Sequence, residues 1–206
     1  MDKDQFQAML QRDEGSSLEF KKSLSDTDRI GQTICAFANT AGGQIVFGVH
    51  KQGKTAILAG IENVDRANQE LQNHIFNGCR PQPQYAFDNI TLEGKNYIIL
   101  SIEAFPLNEV CSYKKTTSKR VGTVNVDLTG EDLVTFLRER GMLSFEELPS
   151  TANLHELDNA KIESIIVARG TKPKNHHPVN YKTVLESLGV ATTFKEFTIK
   201  KAAPLF

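Results

Sequence analysis

Tyr113 is followed by Lys114-Lys115-Thr116-Thr117-Ser118-Lys119-Arg120, four cations interleaved with hydroxyls. Such a run can grip a nucleic-acid backbone. Its cations replace the counterions around phosphate, and its hydroxyls donate to phosphate oxygens. The same run also fits a solvated hairpin loop. Lys21, Lys22 and Lys51 would widen the patch if folding brought their strand ends beside it. Two carboxylates, Glu14 and Glu19, precede those lysines. On spacing alone Glu14 belongs to a polar loop, and Glu19 to a strand face where Lys21 or Lys22 can pair with it.

Other chemistry-bearing residues read as structural. Gly42-Gly43 lacks both a GxGxxG pattern and a Walker lysine, and it follows a helix rather than preceding one, so it is a turn and not a phosphate cradle. Adjacent histidines on regular structure do not face one metal, so His176-His177 reads as part of a polar loop. Cys35, Cys79 and Cys111 are odd in number and without CxxC spacing, which argues against a disulfide framework or a zinc knuckle. They are expected to be buried reduced thiols, Cys35 on an inward helix face where a thiol is inert. No Ser/His/Asp or Cys/His order is defensible, and neither a resident metal nor a cofactor is expected.

The 206 residues allow one domain with a smaller appendage. With 24 basic against 25 acidic residues, any nucleic-acid contact must use a local patch rather than a global field. The start, Met1-Asp2-Lys3-Asp4, has no signal-peptide core, and the apolar runs are too short to span a bilayer. A soluble, cytoplasmic protein is expected. The end, Ala202-Ala203-Pro204-Leu205-Phe206, suggests a segment of a longer protein or a tail that docks.

Several elements must position those residues. Phe6, Met9 and Leu10 predict a short opening helix over 4–12. Leu18-Glu19-Phe20-Lys21 alternates as a half-buried strand. Ile30, Ile34, Phe37 and Ala38 predict a helix that begins near the N-cap candidates of 25–28 and stops at Gly42-Gly43. Gln44 to His50 reads as one central strand, apolar on both faces, and Thr55 to Leu58 returns beside it. A helix over 64–78 turns Val64, Ala67, Leu71, Ile75 and Phe76 inward before Pro81 and Pro83 end it. Strands follow at 84–88, 97–103 and 121–126, then a helix with Leu133, Phe136 and Leu137. The first domain covers 1–141. The remainder, 142–206, is a helical extension with a linker over 142–155, helices at 158–168 and 180–188, and a polar basic stretch between them.

One segment carries more: Ile34-Cys35-Ala36-Phe37-Ala38-Asn39-Thr40-Ala41-Gly42-Gly43-Gln44-Ile45-Val46-Phe47-Gly48-Val49. Gly42 can take the left-handed conformation that ends a helix. Gly43 lets the backbone double back into a strand, and Asn39 can bond free carbonyls or a neighbouring loop. The segment resembles the hallmark of the Schlafen AlbA-type domain, also described as divergent AAA-like, with Asn39, Thr40, Gly42, Gly43 and Gly48 in its fixed positions. Leu18-Glu19-Phe20-Lys21 resembles that family's EFK strand, and Arg120-Val121-Gly122-Thr123 its RVG strand.

The resemblance implies an α/β (α+β) fold with a curved, mostly antiparallel sheet and packed helices. It also implies contact with nucleic acid, by DNA-binding regulators in microbes and by ribonucleases among animal Schlafens. Residues 150–206 loosely resemble the helical segment of regulators with a RecG-like description. Nuclease members carry E-x4-E-x-K, matched here by Glu14, Glu19 and Lys21, and a downstream aspartate. Lys51 stands in the aspartate's place, after His50. A cation there opposes the hard divalent metal that such cleavage uses.

The first expectation is therefore a non-enzymatic nucleic-acid-binding module, of DNA before RNA, in a transcriptional regulator. Its phosphate contacts would be Lys114, Lys115, Lys119 and Arg120, supported by Lys21, Lys22 and Lys51. A metal-dependent ribonuclease using Glu14 and Glu19 is the alternative, and a protein-interaction scaffold the third reading. A homodimer would suit a reader of paired half-sites.

Overall fold

The computed structural model describes residues 1–144, 146, 148–168, 180–193 and 196–202. They divide into two compact units, Met1–Arg140 and Gly141–Phe206.

In the first unit, helix α1 (Lys3–Leu10) starts at an Asp2 capping box closed by Gln5. Strand β1 (Leu18–Lys21) leads to α2 (Thr27–Ala38), whose N-cap Asp26 accepts from the Arg29 N–H. Next come β2 (Gly43–Phe47), β3 (Val49–Gln52), β4 (Thr55–Leu58) and α3 (Val64–Gly78). They are followed by β5 (Cys79–Arg80), β6 (Tyr85–Leu92), β7 (Lys95–Ile102) and β8 (Ser112–Tyr113). The unit closes with β9 (Ser118–Val121), β10 (Val124–Asp127) and α4 (Gly130–Glu139).

The main sheet has the order β1-β2-β7-β6, with β1 parallel to β2 and the other pairs antiparallel. Strand pairs β3-β4, β5-β8 and β9-β10 are antiparallel as well, so the fold is α/β with a mostly antiparallel strand set.

Strand alternation sorts the sheet into two cores. Ile45, Phe47, Ile98 and Leu100 pack with Ile30, Ile34 and Phe37 of α2 and Leu71 and Ile75 of α3. Leu18, Phe20, Val46 and Ile99 face the other way, with Phe6, Met9 and Leu10 of α1. Leu18 and Phe20 belong to the α1 side, so Glu19 and Lys21 point to the α2 side.

The structure departs from the sequence expectations at several places. The run Gln44 to His50 is two strands: at Gly48 the backbone enters the left-handed region (φ +91), and a Cβ there would sit 3.0 Å from the Tyr97 ring. Phe76 lies on the outer face of α3 and is 63% exposed, because the inward stripe runs through Ala67, Leu71, Ile75 and Gly78, with Val64 packed partly against it. Ser118 to Arg120 belong to a strand rather than a loop. The 142–155 stretch is not a free linker: Pro149 bridges Lys200, and the Ser150 and Lys201 N–H groups donate to the Ile199 and Leu148 carbonyls.

The second unit contains α5 (Asn159–Ala168), α6 (Tyr181–Ser187) and a hairpin of β11 (Ala191–Thr193) and β12 (Phe197–Ile199). They surround Leu157, Ile162, Leu185, Val190 and Ile199. The hairpin was not expected, although Thr192-Thr193 and Phe197-Thr198-Ile199 have strand-forming residue types. His176-His177 and the end of the tail lie outside the described residues. Among the described residues, no helix is long and apolar enough to cross a membrane.

Candidate nucleic-acid interface

The turn after α2 supports everything around it. Gly42 has φ +73, its N–H donates to the Phe37 carbonyl, and a Cβ there would lie 2.7 Å from the Ile102 oxygen. The Thr40 hydroxyl donates back to the Ala36 carbonyl at 2.6 Å. Asn39 is 2% exposed and acts as a latch. It donates to the Cys111 and Ser118 carbonyls at 2.8 Å and accepts from the Cys111 N–H at 2.7 Å. The hallmark asparagine thus ties the segment leading into the basic run, at Cys111, to β9, at Ser118.

That run splits on folding. The β9-β10 register pairs Arg120 with Asn125 and Lys119 with Val126. Alternation sends Ser118 and Arg120 inward and Lys119 and Val121 outward. Arg120, 6% exposed, is bound on three sides. Its guanidinium donates to the Gly15 carbonyl (3.0 Å), Asn125 Oδ1 (2.9 Å) and Glu19 Oε2 (2.5 Å), and it lies over the Phe37 ring at 5.1 Å. Asn125 passes the network on to Thr33 Oγ1 at 2.8 Å. Arg120 is therefore an interior strut rather than an outward phosphate contact. Two of the run's three hydroxyls are committed too, Thr117 to Ser112 and Ser118 to Asp127.

Glu19 is 8% exposed rather than on a wet strand face, because β9 covers the α2 side of β1. Its second oxygen takes Lys21 Nζ at 2.5 Å. Glu14 accepts the Phe20 N–H at 2.9 Å, fixing the loop before β1. Lys51 Nζ donates to the Leu10 carbonyl at 2.8 Å and lies 5.2 Å from the Phe20 ring centre, so it caps α1. The structure thus gives Lys21, Lys51 and Arg120 internal partners.

These residues do not fit a hard divalent ion. Both Glu19 oxygens already face cations, and the cationic Lys51 occupies the third position. Among the described residues, the one group of three or more metal-capable side chains is the cysteines.

A groove of about 380 Å³ opens beside this network, lined by Asp26, Asp28, Arg29 and Gln32 with Glu19 and Arg120. Asp28 was not singled out in the sequence beyond its place among N-cap candidates. It takes Lys114 Nζ at 2.5 Å and the Tyr113 hydroxyl at 3.1 Å. The Lys114 hydrogen bond, then that of Tyr113, holds its carboxyl below the usual range. The same bond raises Lys114. Burial, then Asp28, pushes the Tyr113 phenol up.

The Tyr113 ring fits because Gly31 and Gly78 have no Cβ: one would lie 2.1 and 2.2 Å from it. Lys114 and Lys115 follow in the left-handed region, with φ of 46 and 73. Lys22, Lys114 and Lys115 are exposed, and Lys119 is half-buried on the outward strand face.

The family described as Schlafen, AlbA_2 matches residues 14–129. No curated protein matches. Among solved structures, the DIP2311 protein of Corynebacterium diphtheriae is 15% identical at a TM-score of 0.47, over 98% of this chain and 39% of that one. The N-terminal domain of a protein described as RecG-related from Nitrosomonas europaea is 20% identical at a TM-score of 0.46, over 62% of this chain and 86% of that one. The chain thus spans about two fifths of the Corynebacterium protein.

Proposed function

Because the chain belongs to the Schlafen AlbA_2 family, we propose that its first unit is a nucleic-acid-binding module, of DNA before RNA, serving a transcriptional regulator. Lys114, Lys115, Lys119 and Lys22 make its phosphate contacts. The observation that carries this reading is the sorting of cations. Arg120, Lys21 and Lys51 are held by internal partners, while Lys115 and Lys22 stand exposed and Lys119 faces outward. Lys114 is paired with Asp28, but both side chains are more than half exposed, at 58% and 63%. Such a surface pair contributes little and opens readily to a phosphate.

The ribonuclease alternative would need Glu14 and Glu19 to hold a metal. Three of their four oxygens are engaged, by the Phe20 N–H, Lys21 and Arg120, which favours binding without cleavage.

The test is binding of the purified chain to labelled single-stranded and duplex DNA and RNA, at two salt concentrations, with Mn²⁺ or EDTA. Affinity that falls steeply with salt and survives EDTA is the expected result. Metal-dependent cleavage would replace this reading with the nuclease. No binding at low salt would replace it with the scaffold.

A further inference from the structure

The chain has three cysteines, and the fold brings all of them to one point. Cys35 comes from the last turns of α2, Cys79 from the end of α3, and Cys111 from the segment just before β8. Each is 0% exposed. Their sulfurs all lie within 4.8 Å of one another. Contrary to the three reduced thiols expected from the sequence, Cys35 and Cys111, 76 positions apart, have Cα atoms 5.3 Å apart and are paired as a disulfide, while Cys79 is free. Cys111 Sγ lies 3.4 Å from the Pro81 carbonyl oxygen.

A single buried cysteine is a small hydrophobe and needs no further account. Three from separate elements, meeting at one point, form a donor set. Thiolates are soft ligands that select ions such as Cu(I) and Zn(II) over Mg²⁺ or Ca²⁺.

We propose that in the reduced chain Cys35, Cys79 and Cys111 together bind one soft, closed-shell thiophilic cation. The Pro81 carbonyl oxygen, 3.4 Å from Cys111 Sγ, is the further donor of this proposal. This site is separate from the basic surface and does not depend on the function proposed above.

Three electrical consequences follow. Three thiolates around a mono- or divalent ion leave residual negative charge, and the Arg80 guanidinium is beside it, donating to the Cys79 carbonyl at 2.7 Å. A thiol must lose its proton to become a ligand, so the ion displaces protons and binding weakens as pH falls. Oxidation competes: joining Cys35 to Cys111 releases two protons and two electrons, accepted by a small-molecule disulfide that becomes two thiols. The same sulfurs cannot then hold the ion.

Cd²⁺ is a suitable probe. The full chain is reduced with a phosphine, shown by thiol titration to carry three free thiols, and refolded with and without Cd²⁺. The expected result is one cadmium per chain, a thiolate-to-cadmium charge-transfer absorption and a raised melting temperature. Cys79→Ser should weaken cadmium binding by more than about 100-fold, beyond what losing a hydrogen bond to a ligand costs. If Cys79→Ser does not fold, alkylation of the wild-type chain decides instead. The loaded chain should resist alkylation at all three thiols under conditions where the metal-free chain reacts. A fully reduced chain that takes no cadmium, a Cys79→Ser variant that binds it equally well, or protection of only two thiols would overturn the proposal.

Discussion

Two ion pairs in the first unit have the same length, 2.5 Å, and opposite surroundings. Arg120 and Glu19 have side chains 1% and 10% exposed, whereas Lys114 and Asp28 are 58% and 63% exposed. Both cations come from one seven-residue basic run, yet folding gives them different work. The buried pair is locked by further bonds to Gly15, Asn125 and Lys21, and removing one partner takes away part of the compensation of a charge in a medium that solvates it poorly. The exposed pair is screened by water and salt and can exchange partners at little cost. A run of basic residues is therefore not one binding element. Its outward members are free for a ligand because its inward members hold the frame.

The strongest way to break this contrast is Arg120→Ala. It should cost about 3–5 kcal/mol of unfolding free energy, the range for breaking a buried pair from one side. Denaturant titration measures it. A loss below about 1 kcal/mol would mean that Arg120 belongs with the surface cations. Glu19→Gln combined with Arg120→Met should recover part of the loss, since the buried pair then carries no charge and Lys21, with an 18% exposed side chain, is the cation left without its carboxylate.

Asn39→Ala tests the latch that ties Cys111 to Ser118. It orphans the buried Cys111 N–H and two carbonyls, and each such group costs about 1–3 kcal/mol. The melting temperature should fall, and amide exchange should rise first at 111–118.

On the outward side, Lys115→Ala and Lys119→Ala should leave stability within about 0.5 kcal/mol of wild type. Each should reduce the slope of log affinity against log salt by about 1. Equal slopes in variant and wild type would remove these lysines from the interface.

Asp28→Asn sharpens the exposed half and has the smallest expected effect. Lys114 loses its competitor for phosphate, so nucleic-acid affinity at low salt should rise slightly. The folded Asp28 carboxyl is held below its ordinary value. Its contribution to stability is therefore present above the unfolded carboxylate range and lost as pH falls through the folded value. The variant should show a shallower loss of stability at acid pH over that window.

The sequence by itself determined the elements whose signals are local. The α2 stripe, the Gly42-Gly43 stop, the α3 helix up to Pro81 and the alternation in β1 and β7 can all be read from periodicity and turn chemistry, because neighbours along the chain produce them. The hallmark from Ile34 to Val49 likewise pointed to the family. Only the tertiary structure decided which face of β1 was covered. Leu18-Glu19-Phe20-Lys21 alternates as a half-exposed strand would, yet Glu19 is buried because β9, about a hundred residues later, brings Arg120 over it. The position of Ser118 to Arg120 in a strand also depended on pairing with Val124 to Asp127 across a tight turn. Lys51 became a helix cap, and the three cysteines became neighbours, through contacts distant in sequence. Periodicity records which side of an element is apolar. It does not record what arrives from elsewhere to cover the other side, and that decides whether a charge becomes a strut or a contact.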